Sequence, residues 1–234
     1  VDFNKGDVLL TAGPRLTDRD LSLAAGMYYP ELPVPRPPKV PLLATGDELG
    51  MPGCEPGPGQ IVYSNGFALA ALARSEGATV LDLGVVGDKL DDTIARVRRA
   101  RDLSADILVT TGGASVGEYD LVQKAFTAEG MVLSFWKIAM RPGRPLMHGK
   151  LGAMHVLGLP GNPVSSYVCA FPFLVPLIRR LAGRSDLVQP TENAVLGCDL
   201  AANDERADYL RATLSTGTNG PVATPFPTQD SSMM

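Results

Sequence analysis

Cysteine, histidine and aromatic residues are scarce in this 234-residue chain, and charge of neither sign dominates. The three cysteines, Cys54, Cys169 and Cys198, form no CxxC pair. An odd, scattered set argues against a disulfide framework or a structural zinc site and fits a reducing, cytoplasmic setting. The two histidines, His148 and His155, have no third ligand type beside them, so a metal centre is not expected there. Lys plus Arg number 21 against 25 Asp plus Glu, a net charge of −4, which argues against a general nucleic-acid coat. No uninterrupted apolar run approaches the roughly 18 residues of a membrane span, and the longest, 167–178, contains two prolines. Neither a membrane segment nor a secretory leader is therefore expected.

The apolar share, 45%, is that of a globular chain, and 25 glycines and 20 prolines punctuate it. The length predicts one full domain plus pieces. A start at Val1 without Met and a stop at Met234 without a closing helix lead us to expect a fragment. Three zones emerge. Residues 1–38 hold a short helix over 18–25, with Thr17 as N-cap and Asp18 and Asp20 in its first turn, then a linker carrying Pro30, Pro33, Pro35, Pro37 and Pro38. Residues 39–183 alternate strands, expected near 40–44, 79–85, 106–111, 132–138 and 154–159, with helices over 65–76, 91–101, 119–129 and from Pro163 to 181. Asn65 is the expected cap of the first of these helices, and Arg96, Arg98, Arg99 and Arg101 of the second form a solvated face. Residues 184–234 predict the opening strands of a small β-domain. The pattern specifies an α/β fold: a three-layer module with a mostly parallel sheet, flanked by partial β-rich segments at both ends. In such a sheet, ligands bind at the carboxyl ends of the strands.

Several motifs fall at that edge. Gly112-Gly113-Ala114-Ser115-Val116-Gly117 follows a strand and opens a helix, where successive N–H groups suit an anion; a plain tight turn is the alternative. It is neither G-x-G-x-x-G nor a phosphate-binding loop ending in Gly-Lys-Ser/Thr. Pro160-Gly161-Asn162-Pro163 with Ser165 and Ser166 makes a second such turn, either ligand-binding or merely rigid. Lys137, Arg141 and Arg144 lie in a loop stiffened by two prolines and a glycine, and forked guanidinium donors suit phosphate or another tetrahedral oxyanion. Ordinary surface bases are the plain reading. Asp47, Glu48, Asp88 and Asp120 follow strand ends, where a divalent cation would reconcile acids with an anion site, although favourable helix-dipole contact also explains Asp120.

Taken in order, five segments resemble one family. They are Thr45-Gly46-Asp47-Glu48-Leu49, Gly59-Gln60-Ile61 with Ser64-Asn65, the stretch from Thr111 to Asp120, Phe135-Trp136-Lys137 through Arg141-Pro142-Gly143-Arg144-Pro145, and Gly158 through Ser165. The chain resembles the molybdopterin molybdenumtransferases, the MoeA family, and is similar to the E-domain of gephyrin. The ends extend the likeness, with Lys5-Gly6-Asp7 near an N-terminal domain and Arg211 and Ser231 at family positions.

The resemblance implies a molybdopterin-binding fold and an enzyme that inserts molybdenum from molybdate into adenylylated molybdopterin, releasing AMP. It implies a divalent cation, Mg²⁺ or another, held by Glu48, Asp88 and Asp120. Catalytic roles would fall to these acids with Lys137 and Arg141. Pterin, phosphate and oxyanion would be held by Thr45, Gly46, Asp47, Gly112, Gly113, Ser115, Gly117, Arg144, Pro160, Gly161, Asn162, Pro163, Ser165, Arg211 and Ser231. The implied partner is a small-molecule pterin, with no nucleic acid and no membrane, and the intact protein would be a homodimer. This chain alone would bind pterin better than it turns over. Family members usually carry Lys at positions 141 and 144 and often Asp or Asn at Tyr63. Two other functions share the module: molybdopterin adenylyltransferase, and a gephyrin-like scaffold that binds a partner peptide. The flanking β-segments count against the former, and retained acids and bases at the strand ends favour chemistry over the latter. The altered glycine pattern disfavours a nucleotide-binding dehydrogenase.

Overall fold

The computed structural model describes residues 3–112 and 119–230, with the side chains of 119 and 120 excepted. The expected site residues Gly113, Ser115, Gly117 and Ser231, and the carboxylate of Asp120, lie outside the described residues. In chain order the elements are α1 (Asp18–Gly26), β1 (Lys39–Thr45), β2 (Leu49–Gly50), β3 (Ile61–Val62), α2 (Asn65–Ser75), β4 (Thr79–Val86), α3 (Leu90–Asp102), β5 (Ile107–Gly112), α4 (Tyr119–Ala128) and β6 (Val132–Trp136). There follow β7 (Met140–Arg141), β8 (Met147–Leu151), β9 (Met154–Leu159), α5 (Pro163–Cys169), a π-turn (Ala170–Leu174), α6 (Val175–Leu181), β10 (Val195–Leu196), β11 (Ala207–Asp208), β12 (Ala212–Gly217) and β13 (Gly220–Pro225).

Six strands form the central sheet in the order β4-β1-β5-β9-β8-β6. β4, β1, β5 and β9 run parallel, while β8 is antiparallel to both β9 and β6. Two reversals return β6 to the direction of β9, so the carboxyl ends of five strands share one edge. Side-chain alternation splits each central strand between two cores. Val40, Leu42, Ile107, Val109, Leu157 and Leu159 face Leu69, Ala73, Leu174 and Ile178 of α2, the π-turn and α6. Leu43, Leu108 and Val156 face Val97, Val122 and Phe126 of α3 and α4. Burial on both faces is why β5 reads as a nearly continuous apolar run.

β8 was not expected from sequence. Its burial alternates, with His148 and Lys150 interrupting the apolar pattern, and it folds back through Gly152 at φ +63° into β9. The two histidines contact one another, His148 Nε2 to His155 Nδ1 at 3.1 Å. At α1 the expected cap forms: Thr17 accepts from the Asp20 amide while Asp20 accepts from that of Thr17. At α2 it does not. Ser64 occupies the cap position, and Asn65 turns its side chain away to another turn. Arg98 and Arg101 are exposed as expected, yet both pair with Glu129 at the end of α4.

The continuous helix Pro163–Leu181 is long and apolar enough, by length and composition only, to cross a membrane, which counting uninterrupted apolar runs had not shown. Here Cys169, Ala170, Leu174 and Ile178 are core residues. Pro172, lacking an N–H, sits within the π-turn, where the helical ladder is already widened. The C-terminal segment forms a three-stranded sheet, β10-β13-β12, and β11 runs beside β7. That last pairing lays the segment against the cationic loop.

Candidate functional site

Three strand ends converge because glycine leaves room for backbone. Gly112 closes β5 at φ +94°, and a Cβ there would collide with the Thr45 carbonyl that closes β1. One Cβ on Gly161, beyond β9, would stand 3.4 Å from the Gly112 Cα. Asn65 Nδ2 donates to the Gly161 carbonyl at 2.5 Å, tying the start of α2 into the same edge. Thr45 Oγ1, Asn65 Oδ1 and Ser166 Oγ are buried there with no hydrogen-bond partner among the described residues. Buried polar atoms are ordinarily paired, so these three mark the edge as polar and unsatisfied. Pro160 and Gly161 form the turn, the Asn162 carbonyl accepts from the Ser166 amide at 2.9 Å, and Pro163 begins α5.

Asp47 accepts from the Asp88 amide at 3.1 Å and so braces the loop after β4. The Glu48 carboxylate lies over Gly46, whose missing Cβ makes room for it. Among the described residues no three His, Cys, Asp or Glu side chains gather to hold a metal. Of the expected divalent-cation set, Glu48 and Asp88 are among the described residues and the Asp120 carboxylate is not. Tyr63 is buried with its hydroxyl against Gly66, where no Cβ would fit. Burial, with the charge of Asp82, pushes its phenol up to about 12, so the position offers a neutral ring rather than a carboxylate.

The cationic loop is a built structure. Lys137, at φ +64°, donates its amide to the Leu146 carbonyl at 3.0 Å and sets its ammonium 4.2 Å from the Trp136 ring centroid. Ile138 bonds back to Arg144 at 3.0 Å. Gly143 packs on Cys169, whose thiol burial pushes up to about 12, which makes it a packing group and not a nucleophile. Between this loop, α5 and the C-terminal segment lies a cavity of about 280 Å³, lined among others by Arg141, Arg144, Ser165, Arg206, Tyr209 and Arg211. A more open cleft of about 670 Å³ adjoins it, with Lys137 on its wall and Arg144 and Arg206 shared.

The cations differ in availability. Arg141 is engaged by Asp204 at 2.5 Å and by Asp208 at 3.3 Å. Arg211 donates to the Thr228 and Asp230 carbonyls. Arg144 has no carboxylate within ion-pair distance among the described residues. Sequence reasoning did not single out Arg206, Tyr209, Asp204 or Asp208. The alternation Arg206-Ala207-Asp208-Tyr209-Leu210-Arg211 was the available signal, but only the pairing of β11 with β7 brings it to the loop.

Comparison with known proteins agrees with this arrangement. Residues 42–180 match the family model described as a probable molybdopterin binding domain, and residues 193–234 match the MoeA C-terminal region (domain IV). The molybdopterin molybdenumtransferase of Haemophilus influenzae is 37% identical over 211 residues, covering 90% of this chain and 52% of that protein. That of Bacillus subtilis is 36% identical over 224 residues, covering 96% and 52%. The crystal structure of the molybdopterin biosynthesis MoeA protein of Pyrococcus horikosii superposes with a TM-score of 0.80 at 29% identity, covering 94% of this chain and 53% of that one. This chain thus spans about half the length of the curated relatives it matches. With both its α/β module and its C-terminal segment matched in order, the chain belongs to the molybdopterin molybdenumtransferase (MoeA) family.

Proposed function

We propose that this chain serves molybdenum cofactor biosynthesis as the pterin- and oxyanion-binding part of a molybdopterin molybdenumtransferase. The substrates would be molybdate and adenylylated molybdopterin, and AMP would be released as the metal enters the dithiolene. The observation that carries this reading is the cavity beside Arg144, where a guanidinium with no carboxylate partner among the described residues shares a wall with Ser165 and Arg211. A forked, permanently charged donor beside a buried hydroxyl matches a tetrahedral oxyanion in shape and charge. Thr45, Asn65 and Ser166 would meet the polar rim of the pterin at the strand ends, where the glycines admit it closely.

Arg144 and Ser165 would orient the anion, and Lys137 would add positive potential from the adjoining cleft. Arg141, held by Asp204 and Asp208 in the free chain, would reach the anion only by exchanging one of these carboxylates.

The test is calorimetric titration of the chain with molybdate, followed by addition of adenylylated molybdopterin with AMP detection. Binding weakened about tenfold or more by Arg144→Ala is expected, the size of one charge-assisted contact. Equal affinity in the wild type and the variant would remove the site. Adenylate formation from ATP, in place of AMP release, would point to adenylyltransferase chemistry.

A further inference from the structure

Two guanidiniums at the anion cavity converge on a single carboxylate oxygen. Asp204 Oδ2 receives Arg141 Nη2 at 2.5 Å and Arg206 Nη2 at 2.6 Å. Its other oxygen, Oδ1, accepts the Arg206 amide at 2.9 Å, and Asn203 closes the same turn onto the Arg206 carbonyl at 2.6 Å. The backbone on either side is pinned to the cationic loop, Ala207 N to the Ala139 carbonyl at 2.9 Å and Tyr209 N to that of Arg141 at 2.7 Å. The side chains are looser: Asp204 is 47% exposed, Arg141 45% and Arg206 35%. Arg141 and Arg206 both line the smaller cavity, and Asp204 stands on the wall of the adjoining cleft.

An oxygen held by two forked donors is what one corner of a tetrahedral oxyanion would present to them. We propose that Asp204 is the resident counter-ion of the oxyanion site, which an incoming oxyanion must displace from Arg141 and Arg206. With Asp204 in place, Arg141 and Arg206 remain oriented toward the cavity, and Asp204 together with Asp208 balances their charge. A dianion, with twice the charge of a monoanion, gains more from Arg144, Arg141 and Arg206 together and so displaces the carboxylate at lower concentration. Asp204 thereby raises the concentration at which any anion, abundant monoanions included, occupies the site.

This inference rests on the reading of the cavity as an oxyanion site. It is tested on the whole chain in acetate-free, low-chloride buffer by titrating molybdate and sulfate as dianions and nitrate as monoanion, comparing wild type with Asp204→Asn. The amide keeps the size and the acceptor oxygen for the Arg206 amide but removes the charge. The expected result is about tenfold tighter binding of molybdate and sulfate to Asp204→Asn, with nitrate tightened by no larger factor, because a dianion feels the lost charge twice over. Asp204→Glu, which retains the charge, should keep wild-type affinity. Oxyanion binding that Asp204→Asn leaves unchanged, or weakens, overturns the role of Asp204 while the site stands. Absence of oxyanion binding from the wild type and both variants overturns this inference and the anion site together.

Discussion

The Asn65 side-chain amide donates to the backbone carbonyl of Gly161 at 2.5 Å, across 96 positions of sequence. It joins the first turn of α2 to the turn that follows β9, the two walls of the strand-end edge. Asn65→Ala removes the donor and leaves a part-buried carbonyl unmatched, at a cost of about 1–3 kcal/mol. Asn65→Asp should cost at least as much, because it sets a carboxylate oxygen against a carbonyl oxygen. Urea unfolding checks both, and a midpoint equal to that of the wild type would show that the contact contributes nothing.

Gly112→Ala should be among the most damaging single substitutions. Its backbone has φ +94°, and the new methyl would meet the Thr45 carbonyl, which belongs to the sheet and cannot swing aside. The expected loss exceeds about 3 kcal/mol or prevents folding. Gly152→Ala is the control. At φ +63° it carries only the left-handed penalty, with open space around the methyl, and should cost about 1–2 kcal/mol. Similar losses from the two, measured by thermal melts, would contradict the steric reading.

What made parts of this fold legible was local pattern. β5 and β9 are buried on both faces and read as apolar runs between helices, and Thr17 with Asp20 spells its own cap. β8 escaped because His148 and Lys150 break its pattern, and a hairpin of two antiparallel strands looks like one interrupted strand. The site divides in the same way. Thr45, Gly112 and Gly161 were visible as turn residues at strand ends. The pairing of Arg141, which among the described residues Arg144 does not share, was not, because it depends on Asp204 and Asp208, more than sixty positions away. Asn65 was misread as a cap because the local sequence contains nothing of Gly161.

Glu76 is the hub of a second long-range network. It accepts from Arg179 Nε at 2.8 Å and Nη2 at 2.9 Å and from Arg184 Nη1 at 2.9 Å, joining the end of α2 to that of α6. Both guanidinium side chains are about nine-tenths buried. Glu76→Gln leaves them facing a neutral group, and the expected cost is about 3 kcal/mol. Hydrogen bonding from Arg179 holds the Glu76 carboxyl below the ordinary range despite its burial. Its stabilisation is therefore full above about pH 4.3 and lost as pH falls through the depressed folded value. The variant should show a flatter acid limb in stability against pH, and an unchanged limb would assign the acid sensitivity elsewhere.

The histidine pair predicts an earlier acid transition. Burial lowers the pKa of both rings, and Lys150 adds repulsion to each. The 3.1 Å contact needs one nitrogen to donate and the other to accept, which two protonated rings cannot do. The unfolded chain takes up protons at about pH 6.5, before the folded one does. Stability is then full above that pH and declines as pH drops through 6.5 toward the lowered folded values. This window lies above that of Glu76, so the two separate on the pH axis. Replacing both rings, as His148→Gln with His155→Gln, should flatten the melting temperature between about pH 7 and pH 5 and leave the Glu76 limb in place. A wild-type melting temperature that does not move across that interval would mean the rings titrate alike in the folded and unfolded chain. The contact between them would then have no energetic consequence for the β8–β9 hairpin.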